Sequence, residues 1–260
     1  MIPILTPNKV VSATTFRLIV VGEAALFLLL WFLSPYKVLP RPGEVFTALG
    51  TLWREGIGQE LFVSFGLFME ALGLASVLSL GLAYLTVLPL FRPIALVVSR
   101  GRFLSLVGFS IIFILMLGGD RPVKLALLTV GMSVFLVTSL LSVIAEIPRS
   151  QYDYARTLRL PEWRVVWEVV IRGTLDKVFD AIRQNAAIGW TLLPMVEALY
   201  RSEGGLGVAL DVQRKYFHMD KVFAIQLLVL AVGILQDYAL GLIRQIVCPW
   251  ADLNKERSDS

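Results

Sequence analysis

The sequence predicts an all-α protein that crosses a lipid bilayer six times, and three observations carry that prediction. Apolar residues make up 57% of the 260 and charged ones only 17%, where a soluble domain runs nearer ~45–50% and ~25%. Six apolar runs approach the roughly 20 residues that a spanning helix needs. The polar segments between them carry helical periodicity. With so little charge and a mean hydropathy of +0.74, lipid must solvate much of the surface. The single cysteine, Cys248, excludes an intrachain disulfide. A net charge of +4 and a pI of about 9.3 would suit a nucleic-acid partner. Here the bases lie between apolar runs, as they do in membrane proteins, so no nucleic-acid partner is expected. The chain reads as one transmembrane domain over residues 1–260, with a long polar segment at about 146–183.

The first run is Phe16–Leu33. It is long for a signal peptide, and Ser34-Pro35-Tyr36-Lys37 supplies no small-residue cleavage site, so a retained helix is expected. Leu39-Pro40-Arg41-Pro42-Gly43 is stiff and extended. Glu44–Glu55 then places Val45, Ala48, Leu49 and Leu52 on one face. That pattern predicts a short amphipathic helix, lying on the outer membrane surface or packed as an ordinary surface helix.

The second run, Leu61–Leu88, is interrupted by Glu70. An acid at membrane depth marks a solute pathway by default; the alternatives are pairing with Arg100 or Arg102, or snorkelling. Ala75, Ser79 and Ala83, with Gly66 and Gly73 nearby, predict close helix packing. The third run, Phe91–Leu117, holds Arg92, Arg100 and Arg102 in its first turns, and the fourth is Pro122–Ala145. The fifth, Ala181–Tyr200, is weakly apolar and carries Arg183, Gln184, Asn185 and Glu197, which suits a pore-lining helix. The sixth is Val222–Ile243. With the N-terminus inside, the inner segments hold 15 bases and the outer ones 9. This asymmetry predicts both termini in the cytoplasm.

Familiar catalytic patterns are missing from the sequence. It has no Walker A pattern, and so no recognisable ATP site of its own, no HExxH and no GxSxG. A single histidine, His218, does not make a metal site alone. Gly205-Leu206-Gly207 lacks the third glycine and the preceding strand of a dinucleotide site. Cys248, near the inner membrane surface, is expected to be inert, with palmitoylation-type chemistry as the alternative.

The informative segment is Glu146–Arg183. Tyr154, Leu158 and Leu160, then Trp163, Val166, Trp167, Val170 and Ile171, fall at helical spacing, and Pro161-Glu162 suits the start of a second helix. A short helix, a turn and a second helix are expected at the cytoplasmic surface. A solvated linker would not place Tyr154, Trp163 and Trp167 on helical faces, whereas docking to a soluble partner would. The first helix is expected to run from Asp153 through Arg159 and to stop at Leu160, before Pro161.

Asp153-Tyr154-Ala155-Arg156-Thr157-Leu158-Arg159, followed ten residues on by Val169-Val170-Ile171-Arg172, resembles the EAA loop of permeases from ATP-binding-cassette (ABC) importers. Asp153 stands for that pattern's Glu, Tyr154 for Ala, Arg159 for Gly and Arg172 for Pro. The resemblance extends over nearly the whole chain. Leu39-Pro40-Arg41-Pro42, Glu203-Gly204-Gly205-Leu206-Gly207, Asp220-Lys221-Val222-Phe223-Ala224 and Pro249-Trp250 are similar to segments of the nitrate/sulfonate/taurine/bicarbonate subfamily.

The resemblance implies the type I importer permease fold and a role in transport, not catalysis, in the bacterial inner membrane. It implies partners: ABC ATPase subunits that bind ATP and Mg²⁺, a second permease copy or paralogue, and an outer solute-binding protein. The solute would be small, either anionic or organic. Expected coupling residues are Asp153, Tyr154, Ala155, Leu158, Arg159, Leu160 and Trp163; expected pathway residues are Glu70, Asn185 and Glu197. A divergent permease paralogue in a heterodimer, motivated by Arg159 and Arg172, and a membrane enzyme using Glu70, Glu197 or Asp180 are the other readings.

Overall fold

The computed structural model describes residues 12–35 and 38–250. Lys9, Lys37, Lys255 and Arg257, used in the count of bases, lie outside them, as do both termini. The described residues form helices joined by short turns, with no strand among them. They are α1 (Ala13–Phe32), α2 (Pro42–Arg54), α3 (Ile57–Leu85), α4 (Arg92–Arg100), α5 (Leu106–Leu117), α6 (Asp120–Ala145), α7 (Arg149–Thr157), α8 (Glu162–Val165), α9 (Leu175–Leu199), α10 (Leu206–Lys215) and α11 (Met219–Val247).

α1, α3, α6 and α11 are long and apolar enough to cross a membrane, and the α4–α5 region would make a fifth crossing. α9 is 25 residues long, a length that also suffices, although its composition is more polar. The contacts fix the directions. Glu70 meets Arg121, and Ser79 meets Ser133, so α3 and α6 run parallel. The chain must therefore return between them, and α4–α5 supplies the return. Trp190 meets Gln236 and Arg183 meets Asp237, so α9 runs antiparallel to α11. The expectation of six crossings is consistent with this arrangement.

The third run departs from its expectation. It is not one helix: Pro89–Phe103 and Gly108–Leu117 meet at 116°. Arginines stand at both ends of α4, and the axis turns where the sequence changes from amphipathic to uniformly apolar.

The core lies between α3, α6 and α9. Ala75, Ser79 and Ala83 are fully buried, and Ser79 Oγ donates to the Ser133 carbonyl at 3.3 Å. Small side chains let the two backbones approach. Gly66 and Gly73 take no part, since a Cβ on either would meet nothing. On α9 the close approach is at Gly189, where a Cβ would lie 2.7 Å from Met132 Cε and 2.8 Å from Phe68. Phe68 and Trp190 stack beside it at 4.7 Å. The apolar face of α2 is covered by protein: Val45, Ala48 and Leu52 pack with Leu206, Ala224 and Ile225 of α10 and α11. The surface-helix alternative therefore holds for α2, capped by Glu44 accepting from Arg41 N at 2.9 Å. α2 and α10 lie at one end of the bundle; α7 and α8 lie at the other.

Candidate functional site

Pro148 opens α7, and Leu158 closes it. Arg159 follows with φ +55. The first helix thus begins at Arg149, four residues before the expected Asp153, and ends two residues earlier than expected, with Arg159 outside it in the left-handed conformation that glycine favours. The turn needs that conformation to bring Pro161 round to start α8, so arginine adopts it at a cost of about 1–2 kcal/mol. Arg159→Gly should stabilise the turn, raising its opening free energy by about 0.5–1 kcal/mol net. Slower amide hydrogen exchange at Leu158 and Arg159 would register the gain.

α8 passes directly into a π-helical turn, Val166–Arg172. Ala155, Val165 and Val169 bury against one another, with Ile147, Tyr152 and Leu160 around them. Arg156 links the two helices through Glu162 at 3.1 Å and also faces Asp153 at 3.7 Å. This small core fixes what the surface presents. Tyr154, Leu158, Trp163 and Trp167 are all more than half exposed. Tyr154, Leu158 and Leu160 line a groove of about 440 Å³ beside Val169. Among the expected coupling residues, Asp153, Tyr154, Leu158, Arg159 and Trp163 therefore face outward. Ala155 is 5% exposed and acts inward, and Leu160 is half-buried.

The expected pathway residues are not brought together. Glu70 is exposed and accepts from Arg121 at 2.6 Å, not from Arg100 or Arg102. Asn185 is 2% exposed, and neither amide atom has a partner. Glu197 is fully buried, accepting from Ser64 Oγ at 2.6 Å and from Gly207 N at 2.7 Å.

Glu197 belongs to a cradle that sequence reading did not assemble. Ser64 Oγ also accepts from Leu206 N at 2.7 Å, and Glu60 accepts from Gly205 N. The first N–H groups of α10 are thus satisfied by α3 and α9, where anionic acceptors suit the helix dipole. The glycines are what let the turn enter. A Cβ on Gly205 would lie 2.4 Å from Glu197 Oε1, and one on Gly207 would lie 2.4 Å from the Pro194 carbonyl. Lys124 Nζ, fully buried, lies 3.7 Å from Glu203. The spacing of Glu60 and Ser64, one helical turn apart on α3, is the signal that could have found them.

At the same end, Asp211 is buried among Arg201, Arg214 and Lys215. Lys215 above all holds its carboxyl below the usual carboxylate range. A depressed folded value means that the stabilisation is complete above the ordinary value of about 3.9 and is lost as pH falls through the folded one. Acid should therefore loosen α10 in wild type but not in Asp211→Asn, as hydrogen exchange along α10 would read.

Residues 24–245 match the family of binding-protein-dependent transport system inner membrane components. The chain belongs to this family. The permease is 25% identical over 139 residues to a putative aliphatic sulfonates transport permease protein of Bacillus subtilis, covering 54% of this chain and 50% of that one. It is 24% identical over 173 residues to a putative ABC transporter permease protein of Methanocaldococcus jannaschii, covering 65% and 60%. The chain thus spans about half to three fifths of the length of these curated relatives. A chain in the crystal structure of an amino acid ABC transporter with histidines superposes with a TM-score of 0.57 at 12% identity. That superposition covers 72% of the permease and 90% of the other chain, and it shows a shared fold.

Proposed function

We propose that this permease is the membrane subunit of an ATP-driven importer, with the end bearing α7 and α8 in the cytoplasm. The observation that carries the reading is the rigid α7–α8 surface. A small buried core there holds Tyr154, Leu158, Trp163 and Trp167 outward. Exposed aromatic anchors on a preorganised support suit a protein partner. The partner is a separate ABC ATPase carrying ATP and Mg²⁺, because this chain has no Walker A pattern. Closure of the ATPases would move α7–α8 as a unit and shift the bundle through α6 and α9. Lys177 of α9, bonded to Glu146 at 2.9 Å, joins those two helices beside it.

α2 and α10 then face outward, where a solute-binding protein would deliver its cargo to the permease and its second copy or paralogue. The exposed Glu70 is the acid placed to meet solute, while Asn185 and Glu197 act from inside the packing. Likeness to a sulfonate permease supports a small anionic or organic solute. The reading is tested by single-cysteine labelling in intact cells and by co-purification. Cysteine at His218 should react with an impermeant reagent, cysteine at Arg159 only after permeabilisation, and the chain should bring down an ATPase. Labelling of Arg159 from outside overturns the orientation and the ATPase contact together.

A further inference from the structure

α4 combines little burial with strong positive charge. It buries one residue, Ala95. Leu90, Ile94, Leu96, Val97, Phe103 and Leu104 along it and its flanks are exposed. The same stretch carries Arg92, Arg100 and Arg102, and no acid occurs from Ala71 to Gly119. Among the described residues none of the three arginines forms an ion pair. Arg92 Nε donates to the Thr86 carbonyl at 3.1 Å, and Arg102 lies over the Phe103 ring at 5.0 Å. The 116° bend turns this stretch away from the axis of α5.

We propose that Pro89–Phe103 is an in-plane helix that binds anionic phospholipid headgroups through Arg92, Arg100 and Arg102. Three uncompensated guanidinium groups beside exposed aliphatic side chains match a surface that is negative at the headgroups and apolar beneath. Arginine forks suit phosphate, and basic amphipathic helices partition to this depth. The exposed Leu90, Ile94 and Val97 would meet acyl chains just below the headgroups. The site also reaches the machinery. Arg92, Leu96 and Ser99 form one wall of a cleft of about 810 Å³ whose other wall includes Tyr152, Arg156 and Glu162 of α7–α8. Headgroups held at α4 therefore bias the position of the α7–α8 segment.

The test uses the full-length permease in phosphatidylcholine nanodiscs, with spin-labelled phosphatidylglycerol or phosphatidylcholine as probe. Wild type should prefer phosphatidylglycerol, and added salt should weaken the preference. Replacing all three arginines by glutamine should lower it by about fivefold per arginine at this site, while replacing them by lysine should keep most of it. Arg100→Gln/Arg102→Gln, which removes no ion pair and no side-chain hydrogen bond among the described residues but only the Arg102 contact with its neighbour Phe103, gives the same readout if the triple variant folds poorly. Arg149→Gln/Arg164→Gln at the same end should change nothing. An unchanged preference in the glutamine variants overturns the proposal. So does an equal loss in the Arg149/Arg164 control, or loss of the preference in wild type when a copurifying protein partner is bound, because a protein would then cover the arginines.

Discussion

Leu158→Asp should abolish ATP-driven uptake and loosen the ATPase by about thirtyfold or more, while the permease stays folded. The side chain is 58% exposed and stands at the end of α7. It lines the groove with Tyr154 and Leu160, so nothing in the chain depends on its apolar character. An apolar anchor in the centre of a docking surface is worth about 2–4 kcal/mol on truncation, and a carboxylate buried there without a partner adds desolvation cost. Tyr154→Ala and Trp163→Ala should act in the same direction, by about tenfold each. Ala155→Asp makes the contrast. Ala155 is buried against Val165 and Val169, so that variant should melt the segment itself and expose Tyr152 and Leu160. Protease sensitivity at 149–172 separates the cases: unchanged in Leu158→Asp, raised in Ala155→Asp. Normal ATPase binding by Leu158→Asp would place the docking surface elsewhere and remove the main support for the proposed coupling.

The parts legible in the sequence were those set by periodicity and composition. Long, mostly apolar runs around α3, α6 and α11 point to spanning helices, and Ala75, Ser79 and Ala83 announce a close helix contact whichever helix supplies the other side. The start of α8 after Pro161 was equally local. The end of α7 was misread because helix propensity favours continuing through arginine, whereas the packing of Ala155 on Val165 requires the chain to reverse at Arg159. Tertiary closure outweighed a local preference of about 1–2 kcal/mol. The third run was misread for a related reason. Window hydropathy averages over Arg92, Arg100 and Arg102, and the bend depends on where those charges fall. Charge partners were the least legible. Glu70 pairs with Arg121 because α3 and α6 run parallel with the middle of α3 level with the first turn of α6, and Arg183 pairs with Asp237 through the antiparallel register of α9 and α11. Neither register follows from spacing within one helix.

Glu197→Gln should release α10 from the bundle without disturbing the core between α3, α6 and α9. One carboxylate oxygen accepts from Ser64 and the other from Gly207 N. Glutamine keeps the shape but offers one acceptor only. If its carbonyl takes the Gly207 N–H, its amide faces Ser64 Oγ, which already accepts from Leu206 N and must then turn its own proton away from Glu197. A buried donor left without an acceptor costs about 1–3 kcal/mol, enough to open a local contact while the global fold, held by Phe68, Trp190 and Met132, persists. Gly207→Ala should do the same by steric means, because its Cβ would overlap the Pro194 carbonyl. The readout is hydrogen exchange at Gly205–Gly207 and along 206–215, compared with α3 and α9. In both variants the α10 amides should exchange at least about tenfold faster, consistent with a local loss of 1.4 kcal/mol or more. Thr191→Ser, on the exposed face of α9, should leave them unchanged. Substrate-stimulated uptake should fall together with α10 protection across Glu197→Gln, Gly207→Ala and Ser64→Ala, because an outer segment that no longer moves with α3 and α9 cannot respond to closure at the opposite end. If uptake falls in Glu197→Gln while α10 stays fully protected, Glu197 acts on the solute itself and not through the turn it holds.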